Sequence, residues 1–166
     1  MTARLPDVFD PRAFADKGRH LEGTLTLGEL DRLTDLVCNP QSLVQVELQF
    51  GKAGGMSCIT GTVVARLELE CQRCLESMFL PVHSELDLGV VSSVDEALLL
   101  PDSMEALIVG AGEDVAITDI VQDELLLAIP VIPQHPDCRL PTPPVAAAEA
   151  PHPFAKLAQL KSKPTS

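Results

Sequence analysis

The chain has 166 residues, 46% of them hydrophobic, and a formal charge of −12. That is enough for one compact domain plus tails. With five Phe and no Trp or Tyr, the core must be aliphatic, and few faces are left on which single-stranded nucleic acid could stack. Residues 21–150 hold 21 acidic and 5 basic side chains, so the body repels a bare phosphate backbone and suits a basic protein partner.

Residues 1–20 read as irregular, with Pro6 and Pro11 among mixed charges. A short strand follows around Leu21–Leu25. Thr26-Leu27-Gly28-Glu29 fits a capping box, and Leu27, Leu30, Leu33 and Val37 recur at helical spacing. A helix to about Val37 is expected, stopped by Asn39-Pro40. Val44, Val46, Leu48 and Phe50 then alternate with Gln45, Glu47 and Gln49, as in a half-buried strand. Gly51–Gly55 is a turn. Ile59 to Cys71 alternates again, and after Cys74 the residues Leu80, Val82, Leu86 and Leu88 rebuild a strand. Three antiparallel strands form a meander at minimum.

Residues 91–105 read as an acidic loop, with short strands at Ala106–Val109 and Val115–Ile117. A second helix, capped by Thr118 or Asp119, runs to Ile129 and ends at Pro130. Its second half is apolar nearly all round and should be well buried. Eight of the fourteen Pro fall between Pro130 and Pro153, the composition of an extended linker. Beyond it, Phe154, Leu157, Ala158 and Lys161 follow the i, i+3, i+4, i+7 spacing of a short amphipathic helix. Lys156, Lys161 and Lys163 stand in the last sixteen residues, which hold no acid.

The most informative chemistry is Cys71-Gln72-Arg73-Cys74 at a hairpin tip and His135-Pro136-Asp137-Cys138 far downstream. Each pair has two residues between its members, so one turn can present both ligands to a tetrahedral zinc ion. A thioredoxin-type redox pair would need a helix N-terminus beside it, whereas the residues after Cys74 lead into a strand. Free thiols at a structural tip are the plain alternative. Arg73, between the thiols, reads as a contact residue facing solvent. Cys38 and Cys58 read as small core residues, and His20, His83 and His152 as isolated. Asp123 and Glu124 are not a catalytic pair, since adjacent helix positions diverge and no His or metal motif lies near. They read as a solvated face that could dock a basic protein. No phosphate loop or catalytic triad motif is present.

Three segments in order resemble the bacterial YceD family of large ribosomal RNA subunit accumulation proteins. They are Leu69–Cys74, then Asp123–Pro133 with His135 and Cys138, and Pro153–Lys161. The resemblance implies a non-enzymatic ribosome-biogenesis factor supporting 23S rRNA, with the large-subunit rRNA or a pre-ribosomal particle, a basic ribosomal protein or a ribonuclease as partners.

The expected protein is α+β, built on an antiparallel, meander or barrel-like sheet with two main helices. Its parts are an irregular segment 1–20, a core 21–132, a Pro-rich linker 133–152 and a basic tail 153–166. Zinc, if bound, takes Cys71, Cys74, His135 and Cys138. Partner or RNA contact falls to Arg73, Asp123, Glu124, Phe154, Lys156, Leu157, Lys161 and Lys163. With no secretory signal, no membrane-length apolar run and an odd cysteine count, a cytoplasmic, non-membrane location with reduced thiols is expected. A zinc-stapled acidic adaptor for a basic protein, with no direct rRNA role, is the alternative.

Overall fold

The computed structural model describes residues 5–140. The tail residues Phe154, Lys156, Leu157, Lys161 and Lys163, and His152, lie outside the described residues.

The element order is β1 (Val8–Phe9), α1 (Pro11–Asp16), β2 (His20–Thr26), β3 (Leu43–Ala53), β4 (Met56–Glu70), β5 (Ser77–Val91), α2 (Val94–Ala97), β6 (Glu105–Ile108), β7 (Val115–Ala116) and α3 (Ile117–Ala128). Strands β2 to β6 form one sheet in sequence order, and β1 pairs with β7 in a small second sheet. The large sheet is antiparallel except at β5–β6, which run parallel. It is an open α+β sheet with free edges at β2 and β6, not a closed barrel.

The long hairpins follow from strict alternation. In β3 the residues Val44, Val46, Leu48 and Phe50 are buried while Gln45, Glu47 and Gln49 face solvent. A one-residue slip would invert that set, so the pattern fixes the register. The β3–β4 turn is tighter than the five residues expected. Ala53 pairs with Met56, leaving only Gly54 and Gly55, at φ of 59° and 87°, the left-handed backbone a two-residue hairpin of this type needs. At Gly61 the neighbouring strand comes so close that a Cβ would overlap the Glu47 carbonyl oxygen.

Several expectations are corrected. Leu27–Val37 is not an α-helix. It forms two 3-10 turns, Leu27–Glu29 and Asp31–Leu33. Leu27, Leu30 and Leu33 recur every third residue and all three are fully buried, which suits the three-residue period of a 3-10 turn. Ser42 and Pro40 also draw off the backbone N–H groups of Leu27 and Gly28. The Glu29 carboxylate does reach back, accepting from both the N–H and the hydroxyl of Thr26.

Among the described residues up to 20 the chain forms β1 and α1, where no regular element was expected. Asp10 caps α1 by accepting from the N–H groups of Arg12 and Ala13, with Pro11 in the first turn. Phe9, Phe14 and Phe50 pack together with ring centroids 5.1–5.4 Å apart. The acidic loop contains α2, capped by Ser93.

Helix α3 starts at Ile117 with Ala116 at its N-cap and no side-chain cap, so neither Thr118 nor Asp119 serves. It packs on the sheet through Ile117, Ile120, Val121 and Leu125. Its end is not buried as expected, since Leu127 is 74% exposed. Cys58 is buried, but Cys38 is exposed and is no core residue. His20 and His83 stand near Glu47 and Glu85 on the open face of the sheet.

Candidate metal centre

Strand β4 ends at Glu70 and β5 begins at Ser77, and the six residues between them form a closed knuckle. The Cys71 N–H donates to the Glu76 carbonyl, and the Leu75 N–H returns to the Cys71 carbonyl, both at 2.9 Å. Leu75 adopts a φ of 64°, a left-handed conformation that costs a non-glycine residue about 1–2 kcal/mol. The turn therefore holds its shape against a local penalty.

The second pair arrives from α3. Pro130 ends the helix, and the chain runs back toward the hairpin tip. There the Gln72 N–H donates to the Pro133 carbonyl at 2.8 Å. This bond sets His135 and Cys138 against Cys71 and Cys74 across 60 intervening residues.

One donor atom from each of the four residues lies within 4.8 Å of every other. Cys71 Sγ and Cys138 Sγ are 3.7 Å apart, and Cys74 Sγ and His135 Nδ1 are 3.4 Å apart. A tetrahedral ion ~2.3 Å from sulfur and ~2.0–2.1 Å from imidazole nitrogen sets two sulfurs ~3.8 Å apart, and a sulfur and a nitrogen ~3.6 Å apart. Both separations match the edges of such a tetrahedron, so the cluster could hold a metal ion. All four expected ligands are brought together.

Cys71 is fully buried. Burial alone would raise its thiol, but backbone N–H groups of Cys74, His135 and Arg73 aimed at the sulfur outweigh it and bring the pKa down to about 5. The His135 N–H lies 3.4 Å from that sulfur. Cys138 is pushed the other way, to about 11, by burial and by its hydrogen bonds to the Cys71 and Cys74 sulfurs. The metal-free cluster thus holds a ready thiolate and a retained thiol. The mouth of the site is lined by Glu76, Asp137 and Arg139.

The other expected contact residues are placed differently. Arg73 is exposed at the tip. Asp123 is exposed and paired with Arg32. Glu124 is buried and accepts a hydrogen bond from the Ser84 hydroxyl, so it is not part of a solvated face. The sequence reading missed two features. One is the backbone donors on Cys71, which leave no trace in residue types. The other is a groove between the Asp35–Cys38 and Ile129–Pro133 segments, for which the exposed apolar run after Pro130 was the available signal.

Fold and knuckle together define a non-barrel α+β protein in which the hairpin tip and the segment after the last helix bring three sulfurs and an imidazole together. The family model described as Large ribosomal RNA subunit accumulation protein YceD matches residues 59–161. Over 170 aligned residues the chain is 31% identical to the Large ribosomal RNA subunit accumulation protein YceD of Haemophilus influenzae (strain ATCC 51907 / DSM 11121 / KW20 / Rd), covering 96% of this chain and 98% of that protein. No solved structure matches. The chain belongs to the YceD family. Among the described residues no helix is long and apolar enough to cross a membrane.

Proposed function

We propose that this chain is a zinc-stapled, non-enzymatic factor that supports synthesis, processing or stability of 23S rRNA in the cytoplasm. Cys71, Cys74, His135 and Cys138 hold the zinc. Three thiolates and one imidazole suit that ion and leave no open position for chemistry. Arg73 at the tip, with Phe154, Lys156, Leu157, Lys161 and Lys163 in the tail, contacts rRNA or a pre-ribosomal particle. Asp123 belongs to the acidic surface offered to a basic ribosomal protein or to a ribonuclease, and Glu124 anchors its helix from within.

Family membership carries the rRNA reading, and the convergence of the four donors, two of whose separations match a zinc tetrahedron, carries the zinc. The test is depletion of the protein followed by measurement of both large rRNA species. The 23S species should fall relative to 16S. An unchanged ratio, with one zinc per purified chain, would favour instead the acidic adaptor without an rRNA role, a reading supported by the exposed carboxylates on the open face of the sheet. Absence of zinc in protein purified without chelator would remove the staple.

A further inference from the structure

A groove of about 690 Å³ runs beside the knuckle. One wall is Asp35–Cys38, the other is Ile129–Pro133, and Leu69 lies between them. Its apolar lining is open to solvent: Leu36 is 48% exposed, Ile132 59% and Val131 100%. Asp35 and Glu70 stand exposed along it. Contiguous apolar surface of this kind marks an interaction site.

The chain itself contains a segment of matching chemistry. At about 100° per residue, Phe154, Leu157 and Ala158 would share one helix face with Lys161, while Lys156 and Lys163 would point the other way. Twelve residues separate Leu140, the last described, from Pro153. At ~3.3–3.6 Å per residue they reach up to ~40 Å. Pro133, only seven residues before Leu140, already lines the groove.

We propose that residues 153–163 dock in this groove through Phe154 and Leu157, with Lys161 set against Asp35 and Glu70. Lys156 and Lys163 then face outward beside the knuckle, since Gln72 lines the groove and Arg73 follows it. Docking gathers scattered positive charges into one basic patch on an acidic body. The hairpin tip shapes the receiving wall, because Ile129–Pro133 is pinned at Pro133 by the Gln72 N–H. This goes beyond the proposed function and narrows it: Phe154, Leu157 and Lys161 turn inward to the groove, and only Lys156, Lys163 and Arg73 are left to meet rRNA; the docking itself does not need the rRNA reading to be right.

Cys38 provides the test, being exposed in the groove wall while Cys58 is buried and the other three thiols belong to the knuckle. The full chain, loaded with zinc, is treated with limiting N-ethylmaleimide, and the rate at Cys38 is read by peptide mass spectrometry. At a tethered concentration of ~1 mM, a segment with a Kd of ~0.1 mM is docked about nine-tenths of the time, giving roughly tenfold protection. The Phe154→Asp/Leu157→Asp chain should therefore react about tenfold faster at Cys38, and the wild-type rate should not depend on protein concentration. Equal rates in the two chains overturn the proposal. Protection that grows with concentration also overturns it, and assigns the groove to a second copy. Zinc content measured on both chains keeps a failure of the metal reading separate from this result.

Discussion

Chelating the metal should release residues 133–140 while leaving the sheet folded. Ordering the backbone of these eight residues costs about 1–2 kcal/mol each, or about 8–16 kcal/mol in all. Against this, the Gln72–Pro133 backbone bond contributes about 1 kcal/mol. Burial adds only a few kcal/mol at most, because Pro133, His135 and Cys138 are half-buried and the other five residues are exposed. A structural zinc contributes an apparent ~10–16 kcal/mol, enough to cover the roughly 4–12 kcal/mol that remains. The assay is amide hydrogen exchange by NMR with and without chelator. The Gln72 amide should lose protection by at least about a hundredfold, while β4 amides such as those of Val63 and Leu67 keep theirs. A Gln72 amide equally protected in both states would refute the reasoning, because the segment would then hold itself in place. Simultaneous loss in β4 would show instead that the metal supports the whole fold.

Three further outcomes are expected. Metal affinity should weaken as pH falls, because binding must displace the proton that Cys138, at about 11, retains at neutrality, and below about 5 Cys71 is protonated as well. For the metal-free fold, the lowered Cys71 pKa contributes stability that is full above its ordinary value of 9.0 and is lost as pH falls toward about 5; a zinc affinity that stays flat between about pH 5 and about pH 8, followed with a chromophoric chelator, would contradict the affinity argument. Gly61→Ala should lower stability by about 3 kcal/mol or more in urea melts, since the new methyl meets the Glu47 backbone and Leu48 Cδ2 at 2.9 Å; a change under about 1 kcal/mol would mean that β3 and β4 can part there without cost. Leu75→Gly should raise the urea midpoint, with a net gain of about 0.5 kcal/mol, because relief of the left-handed backbone exceeds glycine's entropic cost and the lost side chain is 61% exposed. A loss of stability would place the Leu75 side chain in a contact that matters.

Much of the sheet was legible from alternation alone. The buried and exposed sets of β3, of β4 from Val63 to Glu70 and of β5 up to Asp87 lie where period two puts them, because a half-buried strand admits only one register, whereas Leu88–Val91 at the end of β5 are buried on both faces. Elements settled by longer-range competition were not legible. Leu27–Val37 carried a helical pattern, yet the backbone partners Pro40 and Ser42 tightened it into 3-10 turns. Asp10-Pro11 was a readable helix start that the mixed charges around it obscured. The apolar end of α3 suggested burial, but nothing among the described residues covers Leu127.

The candidate site divides in the same way. Residue types and the two-residue spacing within each pair singled out the four residues that the fold brings together, because a single turn can offer both members to one ion. That Cys71–Cys74 and His135–Cys138 converge was beyond local pattern, since it depends on α3 returning the chain to the hairpin tip and on one backbone bond from Gln72 to Pro133. The opposite protonation of Cys71 and Cys138 was likewise decided by tertiary structure. Identical thiols differ there because three backbone N–H groups and the Cys74 thiol favour the thiolate on one sulfur, while burial and the neighbouring sulfurs hold the proton on the other.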